Sequence, residues 1–461
     1  MAPPTFDSGA PAAPAPPVRD LDELATSFAA AERPAADWLI GAESERFAVD
    51  AGSFAPIAFD GERGVVGVLA ALRAAYGWQP YREHAEGPVI ALRRGAAAVT
   101  LEPGAQLELS GSPWPDVHAV AAEMDEHLGE LRAISAPLDL AWLAVGFHPL
   151  ARQDELPWVP KRRYAIMREY LPPLGNGALD MMRRTASMQV NLDFSSEQDA
   201  LEKLRLALRV APLANAMTAH SPWCEGRPVG RRSLRGEVWL RVDPSRSGLI
   251  PRLWSDEPAT YRDYVEWALD AGMFLFLRDG QVIANTGQTF RSFLADGFAG
   301  HRATLADWEL HLHTLFPEAR LRRTLEIRSC DALPPALAPA VPAFFTGLLY
   351  DPRALAAARD LMAPFSYDEV QRARPDLVAR GLEATIAGRP ARRLAEDLLD
   401  LAWGGLARRA RLDARGADET VHLRRLRDLV GSGRTPADVV AEGLRDGAPV
   451  APSELVARTR I

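Results

Sequence analysis

Polar residues occupy every second position of a strand-like segment near the middle of the chain, and apolar residues fill the positions between them. The polar residues are Ser187, Gln189, Asn191 and Asp193, and the apolar residues are Met188, Val190, Leu192 and Phe194. Because successive side chains of a strand point to opposite faces, one face is predicted to be polar and the other to pack in the core. The amides and carboxylate of the polar face suit hard cations and an anionic substrate.

The same alternation places acidic residues in three further segments. They are Glu43 and Glu45 in IGAESERF, Gln106 and Glu108 beside Glu102 in TLEPGAQLELSG, and Glu326 with Arg328 in TLEIRSC. Any one of these pairs is more simply explained as the solvated face of a sheet. Four coincident polar faces favour a site, because unpaired carboxylates so close together repel one another and a cation relieves that repulsion. The five glutamates are therefore predicted to bind Mg²⁺, which prefers oxygen ligands and keeps substrate phosphates in its shell.

Arginines form a second candidate set, because guanidinium groups pair with carboxylates and with phosphoryl groups in transfer. The members of this set are Arg183, Arg184, Arg235, Arg246, Arg291 and Arg328. Each one alone is more simply a surface residue, since arginine is the main basic residue of this chain. Arg328 is the exception, because it shares a strand face with Glu326 and both would have to be solvated together. Cys330 continues the same alternation and is expected on that face.

These residues need a sheet to bring them together, and the surrounding patterns predict one. Strands are predicted near 38–50, 139–147 and 186–194, with a three-stranded meander over VIALRRGAAAVTLEPGAQLELSG that turns at Gly95 and at Pro103-Gly104. Helices are predicted near 64–76, 115–134, 161–171 and 196–219. Strands beside long helices, without strict βαβ repetition, predict an α+β fold with an antiparallel sheet.

The pattern divides the chain into three parts. Residues 1–17 are rich in Ala and Pro and are predicted to form a disordered tail. Residues 35–335 mix strand and helix patterns and are predicted to form the catalytic α+β domain. Strand signals stop after that point, so residues 336–461 are predicted to form a helical region packed on the catalytic domain. Within it, Thr435 followed by Pro436 predicts the start of a helix.

The bulk composition excludes several classes of protein. A net charge of -8 from 53 basic and 61 acidic residues provides no basic stripe, so nucleic acid is not expected as a partner. No stretch reaches 18 uninterrupted apolar residues and the N-terminus lacks a secretory pattern, so no membrane partner is expected and a cytoplasmic location is predicted. Lysine occurs only at Lys161 and Lys203, which excludes a Walker phosphate loop. His311 and His313 lie two positions apart on a predicted helix and point apart, which argues against a metal site.

Several longer motifs are recognisable together. In chain order they are IGAESERF, LEPGAQLELSG, RRTASMQVNLDFSSE, HSPWCEGRPVG, RSLRGEVW, TGQTFRSFL, RRTLEIRSCD and FFTGLLYD. With them the chain resembles the plant-type glutamate–cysteine ligases, in the carboxylate–amine ligase branch of the glutamine-synthetase superfamily. The resemblance runs from about residue 35 to GRTPADVVAEGL near the C-terminus. It implies an antiparallel catalytic sheet of the glutamine-synthetase type, covered by helices, with an all-helical C-terminal layer.

The resemblance also implies a reaction. ATP, L-glutamate and L-cysteine give γ-glutamylcysteine, ADP and phosphate through a γ-glutamyl phosphate, which is the first step of glutathione biosynthesis. Two or three Mg²⁺ ions are implied, with ATP as a substrate, and the protein is expected to be a monomer or a homodimer. The catalytic residues implied are Arg235, Arg328 and Glu326, and the residues implied to bind substrate or nucleotide are Gln189, Asn191, Arg246 and Arg291.

Two alternatives remain open at this level. The same chemistry could serve ergothioneine synthesis or γ-glutamylation of another amine, because a pathway or a small acceptor leaves no motif. A non-catalytic glutamate or nucleotide sensor on the same fold is disfavoured, because the acidic positions are retained. The plant enzymes carry regulatory cysteines in and after a hairpin where this chain has Asn285. With Cys224 and Cys330 as free thiols, no thiol switch is expected.

Overall fold

A computed structural model describes residues 16–255, 257–444 and 447–461. Its strands, in chain order, are β1 (Ile40–Asp50), β2 (Gln79–Tyr81), β3 (Ala91–Arg94), β4 (Ala97–Leu101), β5 (Leu107–Ser110), β6 (Leu140–Leu143), β7 (Ser187–Leu192), β8 (Trp223–Cys224), β9 (Arg227–Pro228), β10 (Ser247–Gly248), β11 (Leu275–Arg278), β12 (Gln281–Ala284), β13 (Phe316–Pro317), β14 (Ala319–Leu321), β15 (Leu325–Asp331), β16 (Thr385–Ile386) and β17 (Arg389–Pro390).

The helices surround these strands. They are α1 (Leu21–Ala29), α2 (Val65–Tyr76), α3 (Val117–Leu138), α4 (Arg162–Tyr170), α5 (Ala178–Arg184), α6 (Glu197–Met217), α7 (Leu234–Trp239), α8 (Tyr261–Leu269), α9 (Phe290–Asp296), α10 (Leu305–Leu312), α11 (Ala340–Leu349), α12 (Pro352–Met362), α13 (Tyr367–Arg380), α14 (Ala391–Arg409), α15 (Thr420–Gly431), α16 (Pro436–Val440) and α17 (Pro452–Thr459). Within the described ranges, no helix is both long enough and apolar enough to cross a membrane.

One antiparallel sheet organises the molecule. Its strand order is β14, β15, β7, β1, β5, β4, β3 and β2, and β6 pairs with the C-terminal part of β1. The predicted meander is present as β3, β4 and β5, which pair in sequence order. Helices are grouped beside this sheet rather than alternating with parallel strands. The predicted α+β class with an antiparallel sheet is therefore confirmed.

The register of the central strands places the predicted polar residues on one face. The facing pairs are Glu43 with Gln189, Glu45 with Glu108, and Glu326 with Asn191. Because directly opposed residues of an antiparallel pair share a face, each of these pairs projects to the same side of the sheet. The alternation seen in the sequence is thus preserved across four neighbouring strands.

The other face of the sheet is covered by helices. Val190 and Leu192 of β7 are completely buried, and α6 and α11 pack against β7, β14 and β15. All ten residues of α11 are buried, which suits a helix enclosed between the sheet and the outer helices α14 and α15. Burial of this apolar layer contributes the hydrophobic stabilisation that holds the polar face in a fixed register.

A β-bulge in β15 changes the expected position of Cys330. Ile327 faces Val190 and Cys330 faces Met188, so β15 uses three residues where β7 uses two. The extra residue turns the strand by one position, which moves Cys330 to the apolar face. Cys330 is buried in the core there, and burial raises the pKa of its thiol to about 11. The expectation that Cys330 lies on the face of Glu326 is therefore wrong.

The C-terminal region is helical, as predicted, and a two-residue hairpin of β16 and β17 interrupts it. The predicted helix start is confirmed, because the Thr435 side chain caps α16 by accepting from the Asp438 backbone N–H. Helices α12, α13 and α14 contact α6, and α17 contacts β6. The division into domains at residue 336 stays a prediction.

The predicted N-terminal tail lies almost entirely outside the described residues, which begin at residue 16. Pro17 forms an isolated antiparallel bridge with Thr304, and the Val18 backbone N–H donates to the Ala303 carbonyl at 2.9 Å. Pro17, the last residue assigned to the tail, therefore pairs with the body of the protein.

Helices α11 and α14 cross so closely that glycine is required at their contact. A Cβ atom on Gly347 would collide with the Ala402 carbonyl oxygen, and a Cβ atom on Gly405 would collide with the Gly347 carbonyl oxygen. Gly129 offers a matched comparison, because it lies on the exposed side of α3, where an added Cβ atom meets nothing within 4 Å.

We expect Gly347→Ala to lower the free energy of unfolding by about 2 kcal/mol, because a backbone oxygen in a packed core cannot move aside. Gly129→Ala should instead raise it by about 1 kcal/mol, since alanine is the better helix former. Urea unfolding of both variants gives the comparison. Equal stability of the two variants would contradict the close crossing.

Candidate active site

The polar face of the sheet lines a cavity of about 180 Å³. Glu43 and Glu45 come from β1, Glu108 comes from β5, and Glu102 lies just beyond the end of β4. The structure therefore brings four of the five predicted metal-binding glutamates into one cavity. The remaining charged or polar lining residues are Thr100, Ser110, Lys161, Arg163, Tyr164, Gln189, His313, Arg320, Arg322 and Arg328.

The alternating strand β7 holds the two acids of β1 in place. Glu45 accepts hydrogen bonds from the Ser187 backbone N–H at 2.7 Å, from the Ser187 hydroxyl at 2.9 Å and from Gln189 Nε2 at 3.0 Å. Glu43 accepts from Asn191 Nδ2 at 2.9 Å. The polar residues of β7 thus act partly through the acids, by fixing where their oxygen atoms point.

Burial and mutual repulsion oppose ionisation of these acids. Burial raises the pKa of Glu45 to about 8, and the charges of Glu102 and Glu108 add to the shift. Burial also raises the pKa of Glu43 and of Glu108, with the charge of Glu108 acting on Glu43 and that of Glu102 acting on Glu108. A cation placed among these carboxylates would supply the missing positive charge.

The donor set suits a magnesium ion that is shared with a substrate. Among residues 16–255, 257–444 and 447–461, no three His, Cys, Asp or Glu side chains converge closely enough to hold a metal ion alone. Mg²⁺ needs no such cage, since it keeps several waters and takes one or two carboxylates together with substrate phosphates. The carboxylate oxygen atoms of Glu43, Glu45 and Glu108, which are buried, and of Glu102, which is partly exposed, fit that mode of binding. The magnesium assignment stays a prediction.

Glu326 differs from the other acids because three arginines surround it. Its carboxylate pairs with Arg320 Nη2 at 2.7 Å, with Arg322 Nη2 at 2.5 Å and with Arg328 Nη1. Although burial opposes its ionisation, these guanidinium groups hold the pKa of Glu326 well below its usual range. Both carboxylate oxygens are engaged by cations, so the geometry favours a counter-ion role over the predicted role as a metal ligand.

The arginine cluster, defined here as Arg320, Arg322 and Arg328 around Glu326, carries an excess of positive charge. Arg322 Nε is buried and has no hydrogen-bond partner within the described part of the chain. Arg322 Nη1 lies 2.6 Å from His313 Nδ1, and burial together with Arg322 holds the pKa of His313 well below its usual range. The neutral ring adds no charge of its own. A phosphoryl group would satisfy both the excess charge and the unpaired donor.

A smaller chamber of about 60 Å³ opens beside Glu45 and Glu102. Arg235 and Arg328 lie at its edge. Its apolar lining residues are Pro103, Met167, Met181, Met182, Trp239, Phe274 and Phe316. Methionine and aromatic side chains beside a charged edge suit a small molecule with one apolar end and one ionic end.

The other predicted site residues fall into two groups. Gln189 and Arg328 line the cavity, where Arg328 Nη1 donates to Gln189 Oε1 at 2.8 Å. Arg235 lines the adjoining chamber. Asn191 lies behind them, where its amide links Glu43 to the hydroxyl of Thr324. Arg235, Arg328 and Gln189 are therefore in reach of a ligand.

Arg246 and Arg291 line neither space. Arg246 is completely buried, and its Nε pairs with Asp243 Oδ2 at 2.8 Å. Arg291 lies at the surface, where its Nε pairs with Asp270 at 2.7 Å and its Nη2 pairs with Glu266 at 2.9 Å. The geometry gives no support to the predicted binding role of either arginine, because both lie outside the cavity and the chamber and pair with carboxylates of the protein.

Several residues of the cavity escaped the sequence analysis. They are Lys161, Arg163, Tyr164, His313, Arg320 and Arg322. The signal available was the run KRRY at the start of α4 and the run ARLRR before β15, in which basic residues cluster at predicted elements. These residues come from a helix start, a helix end and an outer strand, and only the tertiary fold brings such positions over the sheet.

A larger open groove of about 580 Å³ lies between α6 and α12. Its arginines are held by protein groups: Arg205 Nε donates to the Leu253 carbonyl at 3.0 Å, and Arg359 Nη1 pairs with Glu202 at 2.9 Å. The groove therefore lacks the unbalanced charge that distinguishes the cavity on the sheet.

Comparison with known proteins agrees with this geometry. The family model of glutamate–cysteine ligase family 2 matches residues 39–448. Chloroplastic glutamate–cysteine ligase B of Oryza sativa subsp. japonica is 39% identical over 409 residues, covering 88% of this chain and 80% of the relative. The chloroplastic glutamate–cysteine ligase of Arabidopsis thaliana is 38% identical over 406 residues, covering 87% of this chain and 76% of the relative.

A solved structure shows the same fold. The glutamate–cysteine ligase of Francisella tularensis, in complex with AMP, aligns with a TM-score of 0.50 at 13% identity. The alignment covers 92% of this chain and 87% of that chain. At this level of identity the likeness extends to the fold alone.

The relatives correct one prediction, the cytoplasmic location. The enzymes of Oryza sativa and Arabidopsis thaliana are all named as chloroplastic, which contradicts that location. The prediction rested on the lack of a secretory signal. Plastid transit peptides have a different composition, rich in Arg and Ser and poor in acids, so a test for secretion does not address them.

The family model spans most of the chain, and the matches to relatives at 38% to 39% identity cover at least three quarters of each relative's length. The matched range contains the acids of β1 and β5, the amides of β7 and the Glu326–Arg328 pair of β15. They are the residues that the fold gathers on one face of the sheet. The chain therefore belongs to glutamate–cysteine ligase family 2 and is a ligase.

Proposed function

We propose that this ligase joins the γ-carboxylate of L-glutamate to the amine of L-cysteine with the use of ATP, the first step of glutathione biosynthesis. The observation that carries the proposal is the separation of charge on one sheet face. Unpaired buried acids of β1 and β5 lie beside the arginine cluster around Glu326. The acids suit a metal-bound nucleotide, and the arginines suit an acyl phosphate.

The acidic half of the cavity would bind the metal. Glu43, Glu45, Glu102 and Glu108 would hold Mg²⁺, which when bound would neutralise charge on the phosphates of ATP. The supporting observation is that Glu43, Glu45 and Glu108 are buried and repelled by neighbouring carboxylates, with the pKa of Glu45 raised to about 8. Gln189 and Asn191 would keep the acid oxygens oriented, through the hydrogen bonds that they donate to Glu45 and Glu43.

The basic half would stabilise the phosphoryl group. An oxygen of the glutamate γ-carboxylate attacks the terminal phosphorus of ATP, the bond from that phosphorus to ADP breaks, and γ-glutamyl phosphate forms. Arg320, Arg322 and Arg328 would bind the transferring oxygens, because guanidinium groups donate in pairs and keep their charge. Arg235, at the chamber edge, would bind a carboxylate of glutamate.

The chamber would receive cysteine. Its amine, after losing a proton, attacks the acyl carbon, the new C–N bond forms, and the C–O bond to phosphate breaks. A volume of about 60 Å³ with three methionines in its lining suits a short thiol side chain better than a large amine. The chamber also lies beside Glu45, so the acceptor would reach the acyl phosphate without crossing the cavity.

One assay tests the proposed function. The purified protein is incubated with ATP, Mg²⁺ and glutamate, and ADP and γ-glutamyl products are measured with cysteine, serine, 2-aminobutyrate or no acceptor. We expect γ-glutamylcysteine and the highest kcat/KM with cysteine, because it alone combines the short chain with a polarisable thiol. Equal ADP formation without an acceptor, or a preference for an amine without sulfur, would reject the proposal.

Removal of one acid tests the metal assignment without an activity measurement. We expect Mg²⁺ with ATP to raise the melting temperature of the wild type, since a ligand that binds only the folded state stabilises it. Glu43→Gln should lose most of that rise. Without ligand it should be as stable as the wild type or about 1 kcal/mol more stable, because a repelled buried charge is gone.

Glu130→Gln is the matched control. Glu130 is a buried glutamate that accepts from Trp78 Nε1 at 3.0 Å and pairs with Arg94, away from the cavity. This variant should lose stability and keep the rise in melting temperature with Mg²⁺ and ATP. A full rise in Glu43→Gln would remove Glu43 from the metal site.

Glu326→Gln should reduce both activity and stability. The substitution keeps the volume of the side chain and leaves three guanidinium groups, two of them buried, without their counter-charge, at a cost of about 3 kcal/mol in the free energy of unfolding. We expect a loss on the order of 10² in kcat below the melting temperature, because the arginines that bind the phosphoryl group are no longer held. Activity within about threefold of the wild type would contradict this role.

A further inference from the structure

Three sequence motifs meet at one buried carboxylate, Asp331, which has no part in the reaction proposed above. HSPW supplies Ser221, RSLRG supplies Ser233 and Arg235, and the end of β15 supplies Asp331. Asp331 is completely buried and lies opposite Ser187 in the register with β7. Its position at the far end of the bulge in β15 places it beside the start of α7.

Hydrogen-bond donors from three segments converge on Asp331. Its Oδ2 accepts from the His220 backbone N–H at 2.8 Å and from the Ser221 hydroxyl at 2.6 Å. Its Oδ1 accepts from the Ser233 hydroxyl at 2.9 Å and lies 3.4 Å from Asn215 Nδ2. We call these groups the Asp331 cluster. A buried carboxylate that accepts several hydrogen bonds stabilises the groups that donate them.

The two serines transmit this order to α7. Each hydroxyl has a single proton, which it donates to Asp331, so its lone pairs remain as acceptors. Ser221 Oγ accepts from the Arg235 backbone N–H at 3.2 Å, and Ser233 Oγ accepts from the Gly236 backbone N–H at 2.9 Å. These N–H groups belong to the first turn of α7, where a helix has no internal partners for them. Asp331 therefore sets the hydroxyl orientations that fix the start of the helix.

The guanidinium of Arg235 is fixed by the same stretch of β15. Its Nη2 donates to the Arg328 carbonyl at 2.7 Å and its Nη1 donates to the Ser329 carbonyl at 3.1 Å. Arg328 and Ser329 lie within the bulge, where carbonyl groups leave the regular ladder and become available. Asp331 Oδ1 lies 3.9 Å from Arg235 Nη1 and adds an ionic attraction.

The surrounding backbone leaves no room for a looser arrangement. A Cβ atom on Gly146 would collide with the carboxylate of Asp331, so the chain after β6 approaches it as closely as only glycine allows. The Gly146 backbone N–H donates to the His220 carbonyl at 3.0 Å and closes the same corner. The Asp331 cluster is thus held from all sides.

We propose that Asp331 is a positioning residue, which holds Arg235 at the chamber edge through Ser221, Ser233 and the first turn of α7. This inference rests on the proposed function only in the substrate role of Arg235. Asp331 is completely buried and lines neither the cavity nor the chamber, so the proposal routes its effect on turnover through Arg235. If Asp331 had a purely structural role, its substitution would lower the stability of the fold without changing the contribution of Arg235 to glutamate binding.

A double-mutant cycle separates these two cases. Arg235→Lys should raise the KM for glutamate, because a point charge replaces the planar fork. Asp331→Asn should lower kcat/KM by a factor on the order of 10², since a displaced binding group is costly. The double variant should match Arg235→Lys within about twofold, because Arg235 is the route of the effect. Losses that multiply in the double variant would overturn the proposal.

Asp243→Asn is the matched control, because Asp243 is also a buried aspartate that holds an arginine, Arg246, away from the cavity. It should lose stability and keep the KM for glutamate. If Asp331→Asn does not fold, Ser221→Ala and Ser233→Ala take its place in the cycle, with the same expected non-additivity. Additive losses in those cycles would likewise overturn the proposal.

Amide hydrogen exchange, measured without substrates, tests the role of Asp331 independently of the proposed function. The amides of residues 234–236 should exchange at least about tenfold faster in Asp331→Asn than in the wild type, while those of α6 should not change. Unchanged exchange at α7 would overturn the inference even if the enzyme is active. A wild type without ligase activity would reject the proposed function, and the exchange result would still decide the role of Asp331.

Discussion

Repulsion between buried carboxylates is the constraint on which the rest of this structure depends. Glu43, Glu45 and Glu108 share a sheet face at which burial and neighbouring negative charge raise the pKa of each. A protein can keep such groups together only if the backbone beneath them is fixed by other forces. The antiparallel ladder and the helices packed behind it supply those forces. The site therefore keeps uncompensated negative charge that a bound cation can neutralise.

The arginine cluster places uncompensated positive charge in the same cavity. Glu326 provides one negative charge to three guanidinium groups, which is enough to keep them buried and too little to neutralise them. Among the described residues, no salt bridge neutralises Glu43, Glu45 or Glu108, and Glu326 alone leaves the arginine cluster with a positive charge. The acidic and basic halves are adjacent, so a metal-bound nucleotide with an anionic substrate would neutralise the charge of both halves at once. This explains why four strands contribute to one polar face.

Strand alternation made the core of the site readable from the sequence. Side-chain period two, together with apolar residues at the other positions, predicted β1, β5, β7 and β15 and the face on which Glu43, Glu45 and Glu108 lie. The alternation predicted the wrong face for Cys330, because the bulge adds a residue to β15 and the hydrophobic pattern does not indicate a bulge. The roles of Arg246 and Arg291 came instead from residue type and the resemblance, which do not reveal that Asp243 or Glu266 pairs with the guanidinium group.

By itself the sequence determined the α+β class, the family resemblance and the acids on the sheet face, because these follow from local periodicity and from motifs within single segments. Only the tertiary structure decided that Glu326 serves three arginines, that Arg320 and His313 join the cavity, and that methionines form the chamber. Each of those contacts joins residues from different elements. Their meeting is set by how helices and outer strands pack over the sheet, which no local pattern encodes.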